Sequence, residues 1–326
     1  RFVIKQNIMR KLILFTILLA SPLLSKAQYY WDFGGGFGAA NFLGEMGGEE
    51  LTRRDFVADL KLTQTRTAAT GFARYKMSPM FSVKGSITWA IVRGADSLST
   101  NPPRHYRNLN FKNNLFEALA ECQFFFYEVN DLGHTYRYKD NFRAYIGLGL
   151  GAVYHNPKAF YQGEWVPLRP LMTEGVNYTK VTLVVPASAG FYFTINKRHR
   201  IGWNLCWRTT FSDYLDDAST FYVDHSDPYV AAIADRTDHA AADAFGAANG
   251  YGAGFGNNFG YSTFIDGDGN QRFNKRGDPS HNDSYITTQV EYSYVIRGKS
   301  SIYKSKYGSI FKGKNKYKRR KVRAKF

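Results

Sequence analysis

The sequence predicts an all-β fold: an eight-stranded antiparallel transmembrane barrel of the outer-membrane kind, with long outer loops and a basic C-terminal tail. Three observations predict it. Stretches of about ten to fifteen residues alternate apolar and polar side chains with a period of two. The connections between them are alternately long and short. The polar faces carry full charges that the core of a soluble sheet would not hold.

Charge and targeting divide the chain into three parts. Its 326 residues carry 43 bases and 27 acids, a formal charge of +16. The first 27 residues hold 5 of the bases and the stretch from Lys299 holds 12, so residues 28–298 are close to neutral. The charge belongs to the tail and marks where a partner docks, not what the body binds. Arg10 and Lys11 precede an apolar run from Leu12 to Ala20 and a small-residue exit ending at Ala27. This reads as a secretory signal over residues 1–27, starting at Met9, because the run is too short to cross a bilayer. No cysteine follows the cleavage point, so no lipid anchor is expected. Cys122 and Cys206 phase to opposite strand faces, so no disulfide between them is expected, and their spacing is not that of metal ligands.

The strands follow in order. Tyr29 to Phe42 opens with aromatics at Tyr29, Trp31, Phe33 and Phe37 on one parity; its glycines suit a close-packed strand, since no helix and no Lys-Ser/Thr follow to make a phosphate loop. Thr65 to Lys76 comes next and is stopped by Ser78-Pro79. From Phe81 to Val92 the alternation is cleanest, with Phe81, Val83, Ile87 and Trp89 opposed by Ser82, Lys84, Ser86 and Thr88. Phe116 to Phe126, Phe142 to Tyr154, Val181 to Ile195, Arg200 to Phe211 and Tyr285 to Arg297 repeat the pattern. Runs of this length suit tilted spanning strands better than the shorter strands of globular sheets.

Topology comes from the connections. Those at about Leu43–Gln64, Arg93–Asn110, Asn156–Asn177 and Ser212–Asp283 are long; those at Ser78-Pro79, Asn130–Asp140 and Asn196–Arg198 are short. Short periplasmic turns and long outer loops, with an even strand number, put both termini of the barrel in the periplasm. A soluble sandwich or lipocalin-like barrel explains the alternation but not the charges opposite the aromatic faces: Lys84, Glu117, Glu121, Arg143, Lys180, Arg200, Arg208 and Glu291. In an eight-stranded barrel these face a lumen that side chains fill, and they are expected to pair there. Aromatic residues at strand ends are expected to form girdles at both interfaces.

The seventh connection, Ala-rich near Ala231 to Ala248 and Gly-rich from Gly250, reads as a flexible surface lid. Asp266-Gly267-Asp268-Gly269-Asn270 resembles the start of a calcium loop but has no acidic completion, so a plain turn is expected. His105, His155, His225 and Ser212 fall on the outer side, yet no nucleophile motif surrounds them, and Asp213, Asp216 and Asp217 read as loop acids. No catalytic site and no cofactor are predicted.

The opening WDFGGGFGAANFLGEM, the segment KRGDPSHNDSYITTQVEYSYVI leading into the last strand, and the Lys/Arg-rich end together resemble the PorG-type outer-membrane barrels of the type IX secretion and gliding machinery. The resemblance implies a non-enzymatic component of the Gram-negative outer membrane, in contact with outer-membrane lipid and with a periplasmic ring of lipoprotein and partner subunits. The domains expected are therefore a signal region, a barrel over 28–298 and a periplasmic tail over 299–326. The ring is expected to meet the tail at Lys312, Lys314, Lys316, Lys318, Arg319, Arg320, Lys321 and Arg323. A small-solute porin and a tether to the cell wall are the alternatives. Export argues against nucleic acid, and no small-molecule substrate is predicted.

Overall fold

A computed structural model describes residues 29–44, 46, 62–78, 80–99, 101–128, 141–196, 198–249, 263–265 and 270–297. The signal region, the basic tail with its eight expected docking residues, and Asp266 to Gly269 lie outside the described residues.

Eight long strands close on one another: β1 (Tyr29–Leu43), β2 (Arg66–Lys76), β3 (Phe81–Ala95), β4 (Asn110–Glu128), β5 (Asn141–Tyr154), β8 (Val181–Ile195), β9 (His199–Thr210) and β12 (Ser284–Arg297). Each pairs antiparallel with its neighbours in the order β3-β2-β1-β12-β9-β8-β5-β4, and pairing of β3 with β4 completes the circle. The first and last strands form one seam, from Tyr29 opposite Arg297 to Leu43 opposite Ser284.

The barrel is apolar outside and polar inside. Phe37, Ile87 and Leu150 are 67, 71 and 68 % exposed, while Lys84, Glu117 and Glu291 on the other parity are buried. Such an exterior is stable only against lipid, because an apolar belt of this size facing water would drive association. Cys122 is exposed and Cys206 buried, each a free thiol. At the short-turn end the outward aromatics cluster, with ring centroids 4.9 Å apart for Trp31 and Tyr75, 5.2 Å for Phe81 and Phe124, and 4.9 Å for Phe142 and Phe193. These amphipathic and apolar rings suit the membrane–water boundary. Among the described residues no helix is long and apolar enough to cross a membrane, and the strands do the crossing.

The long connections build an outer layer. A hairpin of β6 (Lys158–Tyr161) and β7 (Glu164–Pro167) extends the sheet beyond β4, through Lys158 opposite Lys112. Helix α1 (Pro102–Arg107) follows β3, and β10 (Thr263–Ile265) pairs with β11 (Gln271–Phe273) in a small ribbon. In the Ala-rich part of the seventh connection the structure departs from the flexible lid expected, and the Gly-rich part, residues 250–262, lies outside the described residues. Residues 228–248 form α2 (Pro228–Ala234) and α3 (His239–Ala248), each started by an aspartate cap: Asp227 accepts from Tyr229 N at 2.9 Å and Asp238 from Ala241 N at 3.0 Å. Alanine is the best helix former, so an Ala-rich stretch after a capping residue folds once it has a surface to pack on. That surface exists here, since buried Ile233 joins Ala159 and Leu168 under the hairpin.

Candidate functional site: a filled lumen and a sealed outer mouth

The lumen is closed by two layers of charge. Near the turn end Glu291 of β12 accepts from Lys84 at 2.5 Å and from Arg74 at 3.3 Å. Arg74 also reaches Asp32 at 3.4 Å, and Asp32 pairs with Arg200. The cations lie against aromatic faces: Arg74 is 5.0 Å from the Tyr192 centroid and Lys84 is 4.5 Å from that of Phe72. Nearer the outer end Arg208 and Glu117 are 2.6 Å apart, and Glu117 also accepts from the Tyr285 hydroxyl. Beside these layers Glu121, the register partner of Lys84, accepts from Gln123 at 2.8 Å and from Ser188 at 2.7 Å, and Thr70 bridges Thr88 and Gln289. Buried charges persist only where partnered in this way.

Six of the eight residues expected in the lumen thus hold polar partners within it. Arg143 lies over the Phe125 ring at 5.6 Å. Lys180 does not face the lumen as expected: it is exposed in the connection that precedes β8, one residue before the wall begins at Val181. Asp32 and Arg74 were not anticipated. Asp32 is flanked by Trp31 and Phe33, so its inward parity was readable. Strand β2 conceals Arg74, because Thr67 to Gly71 are small on both faces and the aromatics Phe72 and Tyr75 fall on opposite parities, so no phase is left.

Above the lumen a segment of the seventh connection plugs the mouth. Leu215 and Ala218 are fully buried in a cluster with Val92, Leu115, Val153 and Val184, which project inward at the strands' outer ends. Asn113 Nδ2 donates to Leu215 O at 2.7 Å, and Asp283 accepts from Leu215 N at 2.9 Å. The plug is locked by Arg276, which is 1 % exposed and pairs with Glu174 at 3.1 Å and Asp217 at 3.4 Å. Glu174 accepts from Ser219 N, Thr220 N and Thr220 Oγ1; Asp217 accepts from Thr173 Oγ1 at 2.5 Å and Tyr178 Oη at 2.6 Å. Arg107 binds Asp96 with two hydrogen bonds, 2.6 and 3.0 Å, and donates to the carbonyl of Arg276. Gly277 lets the chain approach closely, since a Cβ there would lie 2.5 Å from the Ala218 carbonyl carbon. Asp213, Asp216 and Asp217, expected as loop acids, are all buried.

Burial raises Asp217 while Arg276 pulls it down, and burial raises the Tyr178 phenol with Asp217 adding to the effect. The Arg276 guanidinium is raised: Asp217 and Glu174 outweigh the burial that opposes its charge. His155 is fully buried and stacked on Tyr178, which stacks in turn on Tyr214 at 4.6 Å. Burial, aided by Arg169, lowers its pKa to about 4, so the ring is neutral. His225 contacts Thr173 O at 3.0 Å, and Ser212 Oγ accepts from Tyr214 N. Ser280 lies 2.8 Å from His281 and 2.7 Å from Asp278, but all three belong to one exposed turn, whose donors from Ser280 lower Asp278. Among the described residues no group of His, Cys, Asp and Glu is placed to hold a metal.

A closed eight-stranded barrel with a lipid-facing exterior, a charge-filled interior and a plugged outer mouth defines the class: a small membrane-spanning β-barrel. The chain belongs to the DUF6089 family, a domain of unknown function, whose model matches residues 10–227 and so includes β1 to β9 but not the closing β12. No curated protein matches it. Solved structures similar to it include Ail, the attachment invasion locus protein of Yersinia pestis (10 % identity, 83 % of this chain and 100 % of that one, TM-score 0.34). The outer membrane protein OprG from Pseudomonas aeruginosa is similar at 8 % identity (83 % and 99 %, TM-score 0.33). The outer membrane protein AlkL in lipid bilayers is similar at 10 % (85 % and 95 %, TM-score 0.31).

Proposed function

We propose that the chain is a non-enzymatic outer-membrane anchor that holds its basic tail, Lys299 to Phe326, at the turn-end face, where the tail docks on an acidic surface of a periplasmic assembly. The filled barrel supports this reading: a lumen occupied by Lys84, Arg74, Arg200 and their carboxylates, under a plug held by Arg276, argues against passage of a solute. What remains is a rigid body and two faces. Strand β12 ends at Arg297 on the turn-end face, so the tail starts there, beside a shallow recess lined by Asp32, Arg74, Lys76 and Arg200. The positive sign of the tail selects an anionic partner. The resemblance to the barrels of the type IX machinery supplies the candidate partner, the ring of lipoprotein and partner subunits.

A chain ending at Gly298 tests the proposal. It is expected to insert and to show the same heat-dependent gel shift as the full chain, yet to lose co-purification of the ring. Retained co-purification means that the tail is not the docking element. Recordings in planar bilayers are expected to show no unitary steps; steady steps identify a small-solute pore instead.

A further inference from the structure

On the outward face, where β3, β4 and the β6–β7 hairpin meet, three cations stand in one row. Arg93 is the register partner of Lys112, and Lys112 is the register partner of Lys158. Directly opposed like charges on one sheet face destabilise it, and here two such pairs are consecutive. Among the described residues no carboxylate is ion-paired with any of the three. Trp165 of β7 completes the cluster, with the Arg93 guanidinium 5.3 Å and the Lys112 ammonium 5.5 Å from its ring, and Phe160 packs on Trp165 at 5.3 Å. The hairpin is held in place: Asn110 Oδ1 accepts from Phe160 N at 2.8 Å, and Arg236 donates to Phe160 O at 2.6 Å.

The height of the row identifies its surroundings. Outward positions on β3 run from Phe81 through Val83, Ile87 and Trp89 to Ile91, and Arg93 is the next. Ten residues at about 3.3 Å each, tilted by about 40°, climb about 25 Å, which is the height of the apolar band of such barrels. Arg93 therefore emerges at the level of the headgroups, directly above Trp89 and its partner Phe116. A Trp and Phe beside cations at this level suit a ligand with acyl chains below and a multiply charged oxyanion above.

We propose that Arg93, Lys112 and Lys158, with Trp165 and Phe160, bind the phosphate of an anionic lipid headgroup in the leaflet at the loop end of the barrel. The phosphate oxygens supply the acceptors that the row lacks and cancel its self-repulsion. This site rests on the membrane-spanning part of the reading above and is independent of the docking role of the tail.

The test uses the full chain folded into mixed micelles with bisphosphorylated lipid A or the same lipid dephosphorylated, with native mass spectrometry as the readout. The phosphorylated lipid is expected to be retained and the dephosphorylated one lost. R93Q/K112Q/K158Q is expected to lower retention about tenfold, which is about 1.4 kcal/mol. Lys112→Arg should keep retention, and so should the remote control Lys275→Gln. Equal retention by the triple variant, equal retention of the dephosphorylated lipid, or displacement by inorganic phosphate as effective as by lipid overturns the proposal. If the triple variant does not fold, Lys158→Gln alone, on the hairpin outside the barrel wall, must lower retention several-fold, and an unchanged value overturns the proposal. Failure of the wild-type chain to insert into vesicles would sink the membrane reading itself; insertion without preference for phosphate sinks this site alone.

Discussion

His155 and Arg276 show how single residues set the behaviour of the outer layer. The folded pKa of His155, about 4, lies below its unfolded value near 6.5. The unfolded chain therefore binds the proton first, and stability is full above pH 6.5, falls between 6.5 and 4, and is flat below. The span is about 3 kcal/mol. Proteolysis of the outer layer measured from pH 7 to 4.5 should accelerate accordingly, and His155→Phe, which keeps the stack on Tyr178, should flatten the dependence. Arg276→Met leaves Glu174 and Asp217 buried without their cation, at a cost of about 3–5 kcal/mol. Limited proteolysis should then cut residues 212–249 while the heat-dependent gel shift of the barrel persists. None of this was legible beforehand. Glu174, Asp217 and Arg276 are 43 and 59 residues apart along the chain, in connections without periodicity. The available signal was the number of acids beside one strand end, with an Arg-Gly pair returning near the next strand.

At the scale of the element, β5 shows why the alternation could be read at all. Its outward Ile146, Leu148 and Leu150 face lipid, and its inward Gly147, Gly149 and Gly151 make room for β4. A Cβ on Gly147 would lie 2.2 Å from Glu121 Oε1, and one on Gly149 2.3 Å from the Ala120 carbonyl oxygen. Gly149→Val is therefore expected to block closure, seen as loss of the folded band on unheated gels, whereas Ile146→Val on the lipid face should leave it intact. In a barrel of this size the wall is one residue thick, so period two reports burial directly for every spanning strand. Strand β2 is the exception, because small residues on both faces erase the contrast that reveals phase. The helices α2 and α3 were missed for a different reason. Their alanines carry propensity but no amphipathic pattern, and the surfaces they pack on are distant in sequence: the β6–β7 hairpin for α2, through Ile233, and α1 for α3, through Tyr106 and Phe245.

For the whole molecule, the anchor reading makes the plug and the luminal charges two separate barriers. Replacing residues 213–282 with a short turn removes the first and leaves Lys84, Arg74, Arg200, Asp32 and Glu291 in place. Bilayer recordings on that shortened chain are expected to remain silent, and a leak of ions would mean that the charge layer does not fill the lumen. Strand number, direction and the turn-end exit of the chain were legible because they follow from parity and connection length. The outer mouth was not, because side chains brought together only by closure of the circle decide it.

The seam between β1 and β12 makes folding depend on delivery of the whole chain. Its partners are more than 240 residues apart, so the last wall of the cylinder cannot form until Ser284 to Arg297 has arrived. Until then β1 and β9 present open edges, each a template for pairing with a neighbouring molecule. The closing strand thus serves as a completion signal: a chain cut before Ser284 would keep its other seven strands and remain a sticky, uncurled sheet.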